Sequence, residues 1–280
     1  MIPKTMHFFW CGERMSWFRY SLLATFKKLN PDWRAILHTA SVVSVEETYV
    51  DKYYQDFLTY DGPNWLPEVS DLGIEVQDYK IGYGLDETLG PVFKADISRW
   101  QILWKEGGFY SDTDILYTRP MSAYMNEKIR KQRDAVVFLE PYILIGFLGA
   151  SPNNQFYRDV FVMACKSFDP TVYESAGSLA VRETVGAHNG RERALKRRYP
   201  AMSIDFLPHH IVYPFPYKQH TFMFRQMTPE AAKLVNRPGC IGIHLFGGSK
   251  AFSQFNNHVR PDNYGEMDNV VTHYLKGVLG

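Results

Sequence analysis

The stretch FKADISRWQILWKEGGFYSDTD, residues 93–114, decides the fold. In its first half Phe93, Ile97, Trp100, Leu103 and Trp104 fall on one broad face at about 100° per residue, which predicts an amphipathic helix. Gly107 and Gly108 predict its end, and FYSDTDILYT predicts a strand after it. Asp112 and Asp114 stand two apart there, so in an extended segment both side chains point to one side, as does that of Tyr110. Two carboxylates converging in partly buried surroundings repel. A divalent cation held by oxygen ligands relieves this, as does a nearby arginine or simple exposure at a loop. On the helix, Asp96 intrudes on the apolar face with Arg99 at its border. The two suit an i, i+3 ion pair that helps the helix by a few tenths of a kcal/mol. They equally suit projection into a cleft shared with the aspartates, where Asp96 accepts hydrogen bonds from sugar hydroxyls and Arg99 balances negative charge.

Working outward, KTMHFFW (residues 4–10) is a short aromatic run that predicts a buried strand. SWFRYSLLATFKKLNPDW predicts a helix stopped at its proline, and RAILHT a second strand. Strand, helix, strand in that order opens an α/β sheet. Residues 46–90 are rich in turn formers and are expected to hold short helices and an excursion on the substrate side. DAVVFLE (134–140) predicts another strand, and YILIGFLGASPNNQFYRDVFVMACKSF an apolar strand or loop leading into a helix. RERALKRRYP reads as the basic end of a solvated helix. IGIHLF (241–246) predicts a late strand closed by two glycines. With no internal repeat and no low-complexity linker, residues 1–280 are expected to form one domain.

The composition is that of a globular chain with 45% hydrophobic and 15% aromatic residues. Lys plus Arg is 31 and Asp plus Glu is 30, so no general field attracts nucleic acid or an acidic membrane, and any anion must be bound locally. Cys11, Cys165 and Cys240 are scattered and odd in number, unlike a zinc site or a disulfide scaffold, which suggests a reducing, intracellular compartment. The opening residues do not read as a signal peptide, and no window approaches the roughly 18 apolar residues of a spanning helix. A cytoplasmic protein is expected, at most peripheral to the inner face of a membrane.

IPKTMHFFWCG, FKADISRWQILWKEGGFYSDTDILYTRPM and IHLFGGS together resemble the glycosyltransferase family that includes the Och1-type mannosyltransferases (family 32-like). They resemble more distantly the catalytic domains of the clostridial glucosylating toxins. The central block, A-D-x-x-R-W, a double glycine and Y-x-D-x-D in that order, is the specific part. The resemblance implies a GT-A fold, a nucleotide-sugar-binding α/β domain with a mostly parallel central sheet flanked by helices. In it the DxD aspartates hold Mn²⁺ or Mg²⁺ on the diphosphate of the donor. Asp114 is then the more direct metal ligand, and Asp112 lies near the donor ribose and sugar through or beside the metal. Asp96, Arg99, Asp112 and Asp114 form the implied catalytic set.

The same resemblance makes Trp10 the aromatic that stacks on the donor base, where the residues alone equally suit a core tryptophan at a strand end. Phe8 and Phe9 are ordinary strand core, Phe9 counting also with the donor side, and His7 is a satisfied strand histidine. Tyr110 hydrogen bonds the donor phosphate or fills the core. His244 is the candidate for a further metal or phosphate contact, and Ser249 for an approach to the metal; each also has a plain structural reading. Lys250 stands where the family has a tryptophan, and either lends positive charge to the diphosphate or faces solvent. On the acceptor side Glu140 is placed to bind sugar hydroxyls. The aromatic segment 209–224 either stacks on sugar rings or a lipid-linked acceptor, or is a proline-bounded strand and loop.

The implied activity is metal-dependent transfer of a hexose from a UDP- or GDP-sugar to a glycan or glycolipid acceptor, with retention of anomeric configuration and no dedicated protein nucleophile. The altered ending at Ser249-Lys250 leaves room for a non-catalytic carbohydrate- or nucleotide-sugar-binding protein on the same fold. A metal-dependent phosphohydrolase ranks last, since no second acidic and histidine cluster is visible for water activation.

Overall fold

Six of the seven strands in the central sheet run in one direction, and the point where strand order reverses fixes where a ligand can sit. The structure, a computed structural model, describes residues 1–41, 60–86 and 89–280. Strands β1 (Thr5–Trp10), β2 (Arg34–Thr39), β3 (Glu75–Asp78), β4 (Gly108–Ser111), β6 (Ala135–Phe138), β7 (Leu144–Ala150) and β8 (Ile204–Phe206) form a sheet in the order β3-β2-β1-β4-β7-β6-β8. Only β7 is antiparallel to its neighbours. The expected α/β class with a mostly parallel central sheet is thus borne out. β5 (Ile115–Tyr117) leaves this sheet and pairs antiparallel with β9 (Gly242–His244) in a small second one.

β1 reads as a continuous apolar run because both faces of the sheet are covered. Met6, Phe8 and Trp10 pack into one core cluster, Phe9 into another. The first face is covered by α1 (Trp17–Leu29), whose N-terminal N–H of Arg19 donates to the Ser16 hydroxyl at 3.1 Å. The opposite face is covered by α2 (Pro91–Lys105) and α4 (Gln155–Lys166). They meet where Trp100 stacks on Tyr157, centroids 6.1 Å apart. Trp100 is fully buried and donates its Nε1–H to the Ala176 carbonyl at 2.8 Å, so its truncation to Ala should cost about 3–5 kcal/mol. α2 begins with Pro91 at its first turn. It ends at Gly107 and Gly108, both with positive φ. A side chain on Gly108 would meet the Thr5 carbonyl at 2.9 Å, so the glycine pair both turns the chain and lets β4 lie against β1.

The remaining helices are α3 (Glu127–Gln132), α5 (Ser178–Val185), α6 (Arg191–Arg198), α7 (Pro229–Val235), α8 (Lys250–His258) and α9 (Val270–Leu279). α8 and α9 pack with α1 in a third cluster around Phe18, Phe252 and Leu275. Part of the turn-rich stretch 46–90, expected to hold short helices, lies outside the described residues, at 46–59 and 87–88; its described part holds one 3-10 turn, Pro67–Leu72, and the edge strand β3. Among the described residues no helix is long and apolar enough to cross a membrane, and Cys11, Cys165 and Cys240 form no disulfide.

Candidate active site

β1 is flanked by β2 on one side and β4 on the other, so strand order reverses between β1 and β4. In open α/β sheets the crevice beyond the carboxyl ends at such a reversal is where ligands bind. Trp10 ends β1 and Asp112 follows the last residue of β4. A cleft of about 510 Å³ opens there, lined by both.

The sequence FYSDTDILYT is not one strand. β4 stops at Ser111, Asp112–Asp114 form a turn, and the chain resumes as β5 in the second sheet. The turn is pinned from three sides: the Asp112 N–H donates to the Gly146 carbonyl at 2.7 Å, the Leu245 N–H to the Asp114 carbonyl at 2.9 Å, and the Gly247 N–H to Asp114 Oδ2 at 2.5 Å. Both carboxylates therefore face one side, as their spacing predicts, but at a strand end rather than within a strand. The antiparallel pairing of β9 sets His244 opposite Ile115. That brings His244 Nε2 to 3.6 Å from Asp112 Oδ2 and 3.5 Å from Asp114 Oδ1. One ligand atom from each of the three lies within 4.8 Å of the others.

The electrostatics of this triad are mutually set. Burial pushes Asp112 up, yet the Arg99 guanidinium and the neighbouring His244 outweigh it and hold its carboxyl below the ordinary value. Burial works against a charged His244, but Asp114 and Asp112 outweigh it and raise its pKa. Asp114 Oδ1 is buried with no hydrogen-bond partner, an arrangement that costs about 1–3 kcal/mol when left unsatisfied. A cation bound by two carboxylate oxygens and an imidazole would satisfy it. Gly146 leaves the room, since a Cβ there would meet Asp112 Oδ2 at 2.6 Å, the Tyr213 hydroxyl at 2.7 Å and the His244 ring at 2.9 Å. The residues present fit a divalent metal.

Arg99 answers both readings of the helix pair. It is buried and bonds Asp96 at 2.9 Å, as an i, i+3 pair should, and it also reaches Asp112 Oδ1 at 3.3 Å. A further bond donates Arg99 Nη1–H to the Ile145 carbonyl at 2.7 Å, and the guanidinium lies over the Tyr110 ring, 4.8 Å from its centroid. Burial of Arg99 opposes its charge, but Asp112, Tyr110 and Asp96 raise its pKa. Asp96, buried and sharing that arginine with Asp112, is pushed up to about 7, burial being the main cause. Its Oδ2 sits so close to the start of α5 that only a glycine fits at residue 177, where a Cβ would come within 2.7 Å.

The other expected residues divide. Phe9, Trp10, Tyr110 and Ser249 line the cleft. Trp10 is 4% exposed and its ring is covered by the Arg19 guanidinium, 5.1 Å from the centroid. Ser249 is buried and caps α8, accepting from the Phe252 N–H at 3.2 Å. Lys250, the first residue of α8, is exposed and is not among the lining residues; nor is Glu140, which is exposed beyond the end of β6. In its neighbourhood Ile143, Leu144, Ile145 and Gly146 line the cleft instead.

Sequence reasoning passed over Arg19, Tyr213 and Gly146. Arg19 donates to Thr113 Oγ1 at 3.0 Å and lies between the rings of Trp10 and Phe252, bracing the turn from α1. Its signal was present, a lone arginine among the apolar residues of WFRYSLLATF. Tyr213 accepts the Gly146 N–H at 3.0 Å and packs on His244 with centroids 4.7 Å apart. From His244 an aromatic wall runs outward through Phe246 to Tyr217, which is 57% exposed and stacked on His220. Phe246 holds φ at +55°, an uncommon conformation for a bulky side chain and one found most often at functional sites.

A family model described as "Glycosyltransferase sugar-binding region containing DXD motif" matches residues 20–135. That span includes Asp96, Arg99, Asp112 and Asp114, and is less than half of the chain. The match supports a role in glycosyl transfer. Among curated protein sequences none matches significantly. Among solved structures the chain is similar to the PaToxG glycosyltransferase at 16% identity and TM-score 0.46, covering 85% of each chain. It is similar to the glycosyltransferase GlyE of Streptococcus pneumoniae TIGR4 at 10% identity and TM-score 0.44, covering all of this chain and 61% of GlyE. It is also similar to the galactosyltransferase LgtC in complex with donor and acceptor sugar analogs, at 11% identity and TM-score 0.39, covering 94% of this chain and all of LgtC. At these scores the likenesses are distant and fix neither activity nor substrate.

Proposed function

We propose that the chain is a divalent-metal-dependent glycosyltransferase of GT-A type, a single catalytic domain that moves a hexose from a UDP- or GDP-sugar to a glycan or glycolipid acceptor with retention of configuration. Its place is a reducing compartment, at most peripheral to a membrane. The observation that carries the reading is the convergence of Asp112, Asp114 and His244 in the cleft, with Asp114 Oδ1 buried and lacking a hydrogen-bond donor.

These three residues would hold Mn²⁺ or Mg²⁺, which when bound acts as a Lewis acid on the donor diphosphate and eases its departure. The chain's own residues supply positioning. Arg99, fixed by Asp96 and the Ile145 carbonyl, holds Asp112 in its ionised form. Asp96 faces the cleft as a hydrogen-bond acceptor for sugar hydroxyls. Phe9 and Trp10 form an apolar surface for the donor base, with Trp10 backed by Arg19. Since Glu140 does not line the cleft, the acceptor side falls to the wall of Phe246 and Tyr217, whose rings suit the apolar faces of a pyranose.

Asp114→Asn tests the reading. It should abolish Mn²⁺-dependent hydrolysis or transfer of the donor sugar with the circular dichroism spectrum unchanged. Full retained activity would refute the metal assignment. A wild-type chain that binds donor with metal yet neither hydrolyses nor transfers the sugar is the binding protein instead.

A further inference from the structure

Tyr213 stands at the cleft with half of its hydroxyl's hydrogen-bonding capacity unused. Its ring is held edge-on to Phe138, centroids 5.4 Å apart, and lies on His244 at 4.7 Å. The backbone around it is tied down as well: the Tyr213 N–H donates to the His209 carbonyl at 2.8 Å, and the His244 N–H to the Val212 carbonyl at 2.7 Å. The phenolic oxygen is rigidly attached to the ring, so this packing fixes where it sits. The residue is only 7% exposed, and it lines the cleft.

That oxygen accepts the Gly146 N–H at 3.0 Å, and among the described residues it makes no second hydrogen bond. A phenol both accepts and donates, and near pH 7 it carries its proton, so a buried donor is left for a ligand to take. The space it faces is the one Gly146 leaves open. A Cβ there would lie 2.7 Å from the Tyr213 hydroxyl, 2.6 Å from Asp112 Oδ2 and 2.9 Å from the His244 ring, so the hydroxyl borders two of the three residues that would hold the metal. Other donors for an anion are already engaged at this place. Of the two arginines that line the cleft, Arg99 is held by Asp96, Asp112 and the Ile145 carbonyl, and Arg19 by Thr113 and two aromatic rings.

We propose that Tyr213 is a catalytic residue whose hydroxyl donates a hydrogen bond to the diphosphate of the donor sugar. This rests on the glycosyltransferase reading and adds to it a leaving-group contact made by the chain itself. In transfer, the bond from the anomeric carbon to the diphosphate oxygen breaks with its electron pair left on that oxygen. The acceptor hydroxyl bonds the anomeric carbon, and its proton passes to the departing diphosphate. Tyr213 keeps its own proton throughout, and its hydrogen bond strengthens as negative charge grows on the leaving group. A neutral donor suits this place, because a lysine or arginine there would pair with Asp112 and compete with the metal for it.

The test compares nucleoside diphosphate with monophosphate binding, UDP against UMP and GDP against GMP, with Mn²⁺ present. Tyr213→Phe should weaken the diphosphate at least about tenfold, as for a hydrogen bond to a charged group, and leave the matching monophosphate unchanged. The kcat for donor hydrolysis or transfer should fall about 100-fold. Mn²⁺ affinity without nucleotide should not move, because the proton meets the ligand and not the metal. Phenylalanine also removes the acceptor of the Gly146 N–H, so a second variant carries p-methoxyphenylalanine at position 213. Its ether oxygen keeps that bond and lacks the proton; it should show the same loss with an unchanged circular dichroism spectrum. Diphosphate affinity in either variant equal to that of the wild type would overturn the proposal. So would a fall in Mn²⁺ affinity that accounts for the whole loss, since Tyr213 would then only support Gly146 and Asp112. A wild-type chain that binds neither diphosphate with Mn²⁺ would overturn the glycosyltransferase reading itself, and this inference with it.

Discussion

Arg99 serves two carboxylates at once, and the division of its charge decides how each behaves. Asp112 ends below the ordinary carboxylate range while Asp96, more deeply desolvated, rises from 3.8 to about 7. Between those two values the folded chain holds a proton that the unfolded chain has released. The stability contributed by Asp96 is therefore fully present below about pH 4 and is lost as pH rises through 7. The shift corresponds to something on the order of 4 kcal/mol. Asp96→Asn removes this dependence, so the melting temperature of the variant minus that of the wild type should increase from pH 4 to 7 and then level off. A difference that stays constant across that range would contradict the assignment. Asp96 and Arg99 were legible in the sequence because a charged pair on an apolar helix face demands an explanation. Glu140 was not excluded by sequence, since an exposed carboxylate after a strand looks the same whether or not a cleft passes it. Arg19 needed the fold, because only the packing of α1 against the 112–114 turn gives its position a use.

Among the elements, those defined by local pattern were readable: β1, α1, β2, α2 and the glycine stop all lie where periodicity and punctuation put them. What the pattern could not supply was the change of sheet within FYSDTDILYT. β4 pairs with β7 and β5 with β9, and those partners lie far along the chain, so the break at Ser111 comes from long-range pairing rather than from propensity. The break leaves the aspartates on a turn held by the backbones of Gly146 and Gly247. Gly146→Ala tests the role of β7 in shaping the triad. Its φ is not in the left-handed region, so the added methyl acts by volume alone, against Asp112 Oδ2, Tyr213 and His244. Metal affinity should fall by about 10–100-fold, the usual cost of disturbing a group that orients a ligand. A Mn²⁺ titration of the variant measures it, with the melting temperature as a check that the sheet persists.

For the molecule as a whole, the reversal of strand order between β1 and β4 gathers into one crevice residues from α1, α2, the 112–114 turn and the β9–α8 connection. Arg19 bridges two of the three core clusters through Trp10 and Phe252, so filling the crevice acts on the cooperative unit and not on a loop. Ligand binding should then appear as global stabilisation. A nucleoside diphosphate and Mn²⁺ at a hundred times their joint Kd contribute about 2.7 kcal/mol, which for a chain of this size is a rise of about 5 °C in melting temperature. If, as proposed, the two ligands meet at the triad, each should shift melting little alone and both together should give the full rise, with UDP and GDP giving unequal responses. Asp114→Asn should abolish the joint rise. A full nucleotide shift without metal would instead place the diphosphate on the chain's own cations, Arg19 first among those lining the crevice.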